Sequence, residues 1–203
     1  PGGTNSFIAP HAYYEYQIDI FLIKDLGKQK FKYGCVSIDI FSQYAAVVPI
    51  VTNEGDSAAA GIIESFQQMG KKPELLYTDG ETSLNSDALQ AYYKEQKIKH
   101  YVTRKHAAFA ERMIRTFKAA LYKRKDEAKV KVELPQWHGY VYQVMLTYTN
   151  KLKHSSTNKT PDDARKDTHR ADVKANLDIR ALTNRKYPPI NVGDEVKLLR
   201  KKK

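Results

Sequence analysis

The chain has 203 residues, 41% of them hydrophobic, and carries 34 Lys and Arg against 23 Asp and Glu, a formal net charge of +11. That is enough apolar material for one core of ordinary size, and no run of 18 apolar residues marks a membrane span. A single cysteine, Cys35, excludes an intrachain disulfide and a cysteine-rich zinc site, and fits a reducing compartment.

The charge is unevenly spread. Residues 1–93 hold 6 Lys and Arg against 11 Asp and Glu, whereas 94–203 hold 28 against 12. A basic second half points to a polyanion, nucleic acid before others, with a merely solvated basic surface as the plain alternative.

In chain order, "YYEYQIDIFLI" (13–23) and "KFKYGCVSIDIFSQYAAVVPI" (30–50) are rich in aromatic and β-branched residues at strand-like lengths. "KDLGKQK" between them reads as a hairpin turn, and Ser42-Gln43 bends the second run into a third strand. A helix is expected over 55–70, capped by Asp56 or Ser57 and stopped by Gly70, with Ala59, Ile62, Ile63, Phe66 and Met69 on its apolar side. A buried strand over 74–78 and a short helix near 85–95 follow. A fifth strand over 97–103 precedes a long helix from about 107 to 125 and another from about 134 to 151. Pro161 opens a further helix, with Asp162 and Asp163 in its first turn. This order describes an α/β layer, a mixed five-stranded sheet flanked by helices. Residues 170–186 read as a linker or extended helix, and 187–203 as the start of a small second β module.

Three acids are informative. Asp19 lies mid-strand with Ile18 and Ile20 on the opposite face, Asp79 ends the strand "LLYT" before Gly80, and Glu111 sits one turn into the long helix. Brought together they would repel one another unless a divalent cation intervened, and hard oxygen ligands suit magnesium or manganese. By pattern alone Asp39 could replace Asp19, and Glu111 could simply pair with Arg115. On the same helix, Ala110, Ile114, Phe117 and Leu121 form the core stripe. Glu111, Arg115, Lys118 and Tyr122 run beside it, Arg112 is adjacent, and Arg104, Lys105 and His106 precede the helix.

Taken together, "YQIDIFL", "VSIDIFSQYAAVVPI", "YTDG", "KHAAFAERMIRTFKAAL" and "YTNKLKHSSTNKTPDDA" resemble the catalytic core of retroviral-type integrases, most of all those of Maverick/Polinton transposons. The resemblance covers 13–167. It implies an RNase H-like fold over 13–169, a linker over 170–186, and at 187–203 the beginning of an SH3-like or chromodomain-like module. It also implies that Asp19, Asp79 and Glu111 are the catalytic, metal-holding triad, and that Asp39 is not a ligand. Two magnesium or manganese ions per site would then serve 3′-end processing and strand transfer of mobile-element DNA. Arg104, Lys105, His106, Arg112, Arg115 and Lys118 would meet DNA. A homo-oligomer, dimer or larger, acting in the nucleus of a eukaryotic host is implied as well. Asp79 and Glu111 are separated by 31 residues, a few short of the usual family spacing, and the segment after Gly80 departs from the family pattern. A DNA-binding core without catalysis, or a ribonuclease H-type nuclease, are the competing expectations.

Overall fold

A computed structural model describes residues 8–24, 28–80, 82–102, 107–128, 136–183, 191–193 and 195. Five strands form one sheet: β1 (Glu15–Leu22), β2 (Tyr33–Asp39), β3 (Ala45–Ile50), β4 (Leu75–Thr78) and β5 (Lys99–Val102). Their spatial order is β3-β2-β1-β4-β5. The first three pair antiparallel, as expected of hairpin-connected strands, while β4 and β5 add parallel to β1. The parallel additions need crossovers. Helix α1 (Gly55–Met69) leads into β4, and α2 (Asp87–Glu95) leads into β5.

Alternation along β1 sends its residues to two different cores. Tyr16, Ile18 and Ile20 join Leu76, Ile62, Phe66 and Met69 beneath α1 and α2. Phe21 joins Val36 and Ile38 beneath two further helices, α3 (Ala108–Ala128) and α4 (Val141–Lys151). The expected α3 stripe is buried throughout: Ala110, Phe117 and Leu121 are at most 1% exposed, and Ile114 is 8% exposed.

Helix α1 starts at Gly55 as expected, but its cap lies two to three residues before the expected Asp56 or Ser57. Its N-cap is Glu54, with no side-chain cap, and Gly55 takes φ +55°. Its buried face also differs, running through Ala58, Gly61, Ile62, Ser65, Phe66 and Met69, with Ile63 only half-buried. Gly61 sets this rotation: a Cβ there would stand 2.5 Å from Ile50 Cγ2, so the glycine face lies against β3. Ser65 follows it inward and shares a 2.6 Å hydrogen bond with Ser37 of β2.

The segment expected as one helix over 134–151 is a 3-10 turn over Trp137–Tyr140 followed by α4, among the described residues. Trp137 is buried against Phe21 and Phe117, and its indole Nε1–H donates to Phe31 O at 2.6 Å. Helix α5 (Pro161–Ala164) starts at Pro161 as expected, capped by Thr160, whose hydroxyl accepts from Asp163 N–H. Within 170–186, Arg170–Thr183 form helix α6, which buries Val173 with Ile40, Phe41 and Ala164. Almost all of 187–203, including the expected β module, lies outside the described residues. Among the described residues no helix is long and apolar enough to cross a membrane.

Candidate active site

The face of β1 under α3 is polar for most of its length. Glu15, Gln17, Asp19 and Phe21 share it, because Tyr16, Ile18 and Ile20 occupy the other side. Gln17 fixes the start of α3: its Oε1 accepts the Phe109 N–H at 2.9 Å. A helix's first N–H groups lack intrahelical partners, and Gln17 supplies one from the central strand. Glu111, half-buried, follows two residues later, so the first turn of α3 is held over the face that carries Asp19.

Strand register supplies the second acid. β1 and β4 pair in parallel with Gln17 opposite Tyr77 and Ile18 opposite Thr78. Asp79 directly follows Thr78 at the end of β4, as Asp19 follows Ile18 along β1. Of the three expected acids, Asp19 is mid-strand in β1, Asp79 is the residue after β4, and Glu111 is in the first turn of α3. They are half-buried, and none is without a partner. Among the described residues, no group of three or more His, Cys, Asp or Glu side chains is gathered tightly enough to hold an ion. The donor set nonetheless suits a hard divalent cation, since every candidate ligand is a carboxylate and two come from neighbouring strands.

Asp39, the pattern-level rival of Asp19, is 1% exposed and organises a turn. It accepts from Phe41 N–H, Tyr13 N–H and the Ser42 hydroxyl, the last at 2.6 Å. Burial pushes its pKa up to about 6, against the downward pull of those three donors. Its neighbour Glu15 carries no distinguishing signal in the sequence pattern. That residue is 5% exposed, its Oε2 has no hydrogen-bond partner among the described residues, and burial followed by the Asp39 charge raises it to about 7. The sequence signal for Gln17 is its two-residue spacing from Asp19, which puts both on one face of β1.

The basic residues divide between two flanks of α3. Arg115 is exposed, and Lys118 lies with its ammonium 5.3 Å from the centre of the Phe21 ring. Partial burial and Lys24 lower the Lys118 pKa, while Asp19 opposes that shift, so the lysine and the acid feel one another. Tyr122 closes this flank by donating to Lys24 O at 3.0 Å. Arg112 is elsewhere. It stands over the Phe109 ring at 5.5 Å, on the side facing Tyr148 and His154. Successive helical residues differ by about 100°, which separates Arg112 from Glu111 despite adjacency in sequence. Arg104, Lys105 and His106 lie outside the described residues.

No protein-family profile matches the chain. In sequence it is 25% identical over 143 residues to the retrovirus-related Pol polyprotein from transposon 297 of Drosophila melanogaster, covering 68% of this chain and 13% of that polyprotein. The HTLV-2 integrase catalytic core domain in complex with magnesium is similar in structure. Its trimeric form matches with TM-score 0.64 at 18% identity, over 77% of this chain and 98% of that one. The dimeric form gives 0.65 at 19%, over 78% and 99%. A chain of the simian T-cell lymphotropic virus intasome, determined in complex with PP2A regulatory subunit B56 gamma, gives 0.72 at 16% identity, over 98% of this chain and 64% of that one. With its five-stranded mixed sheet flanked by helices, the chain has the RNase H-like fold of a retroviral integrase catalytic core.

Proposed function

We propose that the chain is the catalytic core of a DNA integrase, a polynucleotidyl transferase that processes the 3′ ends of a mobile element and joins them to target DNA. One observation supports this reading: Ile18 of β1 pairs with Thr78 of β4, so Asp19 and Asp79 are the next residues of two neighbouring strands, and Gln17 of β1 anchors the helix turn that leads to Glu111. The structural relatives include a core described in complex with magnesium, which supports a divalent ion here. The narrower likeness to Maverick/Polinton integrases rests on the sequence segments alone.

Asp19 and Asp79 would hold one ion from adjacent strands, and Glu111 would share a second with Asp19. When bound, such ions activate the attacking oxygen and neutralise the leaving one in an in-line displacement at phosphorus. The nucleophile is water during end processing and the DNA 3′-hydroxyl during joining, so no covalent bond to the protein forms. The protein's own part is positioning. Gln17 anchors the first turn of α3, and Phe21 under the Lys118 side chain keeps a cation beside Asp19 for a flanking phosphate. Arg115, one turn beyond Glu111, serves the same strand. Joining two element ends calls for two such sites, so we propose a dimer or larger assembly; HTLV-2 cores are described in dimeric and trimeric forms. A nuclear site of action belongs to the same proposal.

Incubating the full chain with manganese and either a labelled DNA duplex or an RNA–DNA hybrid tests it. Products longer than the input duplex are expected. Cleavage of the hybrid alone would move the assignment to a ribonuclease H, and binding of duplex without either product would leave a DNA-binding core.

A further inference from the structure

A different flank of α3 from the one bearing Glu111 borders a cleft of about 440 Å³, walled by Phe109 and Arg112 of α3, His154 and Ser155 of the loop after α4, and Leu177 and Arg180 of α6. Among the described residues, two guanidinium groups enter it and no carboxylate lines it. Like charges in one concavity repel unless an anion joins them. The nearby acids are already committed: Asp172 pairs with Lys159 at 3.3 Å, and Asp178 with Lys174 at 2.6 Å. α6 thus neutralises its lysine neighbours and leaves Arg180 facing the cleft.

The cleft is organised in advance. His154 and Lys159 form a β-bridge, Asn158 takes a left-handed φ of 55°, and Asn176 Nδ2 donates to Thr157 O at 3.1 Å, tying the loop to α6. Arg180 Nη1 donates to Ser155 Oγ at 3.1 Å, which aims its fork, and the Phe109 ring supports Arg112. A planar fork of N–H donors suits the non-bridging oxygens of a phosphate, and the apolar walls suit a sugar or base edge. We propose that this cleft binds a backbone phosphate of nucleic acid, giving α3 a second DNA contact on a different flank from the one bearing Glu111. This inference rests on the DNA-handling reading above.

Salt-dependent binding of the full chain tests it, read by fluorescence anisotropy with a linear duplex and a covalently closed minicircle. Arg180→Gln and Arg112→Gln are each expected to weaken binding by about fivefold and to lower the slope of log affinity against log salt by about 0.9. Arg180→Lys should keep the slope, which a packing defect would not allow, and circular dichroism should show each variant folded. Loss with both DNAs assigns an internal phosphate; loss confined to the linear duplex assigns a terminal one. Unchanged affinity and slope in both glutamine variants, with a doubly substituted Arg115→Ala, Lys118→Ala chain still weakened, would overturn the cleft and leave the integrase reading standing. A wild-type chain that binds neither DNA overturns both.

Discussion

The two faces of β1 and β4 are built from interleaved residues of the same strands, yet they obey different rules. Toward α1 and α2 stand Tyr16, Ile18, Ile20 and Leu76, a closed apolar surface in which Gly61 admits the wall of Ile50 and a serine pair is fully satisfied. Toward α3 stand Glu15, Gln17 and Asp19 before Phe21 restores the core. Burying carboxylates costs stability, and a sheet that needed only to fold would place apolar residues there. The contrast separates residues that secure the fold from residues that bear charge at a cost to it.

The largest expected effect would break this contrast at its active edge. Asp79→Asn should reduce manganese-dependent strand transfer by on the order of 10²–10³-fold or more while leaving the circular dichroism spectrum intact; retained joining activity would remove Asp79 from the mechanism. Next comes a pair of neighbours on one strand. Ile18→Ala should cost about 2–5 kcal/mol in urea unfolding, whereas Asp19→Asn should leave stability unchanged or raise it. Equal destabilisation by the two would mean that the faces are not divided as described.

Glu15 gives a pH-resolved version of the same test. Its pKa rises from an ordinary value of 4.5 to about 7 in the fold. The folded state therefore resists losing that proton. The penalty is absent below about pH 4.5, grows as pH rises, and is complete above pH 7. Glu15→Gln should stabilise the protein by about 2 kcal/mol at pH 8 and by almost nothing at pH 4, read from urea midpoints at the two pH values. On the close-packed face, Gly61→Ala should cost about 1–3 kcal/mol, since the added methyl meets Ile50. The smallest effect is expected of Arg115→Ala, a loss of DNA affinity of about fivefold that fades at high salt.

The strands and the stripe of α3 were legible because both follow from periodicity: alternation fixed the side of Asp19, and three- and four-residue spacing fixed Ala110 through Leu121. The parallel pairing of β4 with β1 was not legible from local pattern, because it depends on a crossover through α1 and on Ile18 meeting Thr78. Neither was the rotation of α1, where a missing side chain at Gly61 outweighed the apolar side chain of Ile63. Glu15 was invisible for a different reason: an acid at a strand's beginning ordinarily faces water, and only the packing around it withdraws that water. Arg112 was grouped with Arg115 by proximity in sequence, although a helical step of about 100° already argued for separate flanks.

Trp137 is the chain's single tryptophan, wedged between Phe21 of the central strand and Phe117 of α3 with its indole tethered to Phe31 O. That position makes it an intrinsic optical gauge of how α3 seats on β1. Any event that lifts or tilts the helix bearing Glu111, including cation uptake or DNA loading, should register in the emission of one native fluorophore without a label being attached.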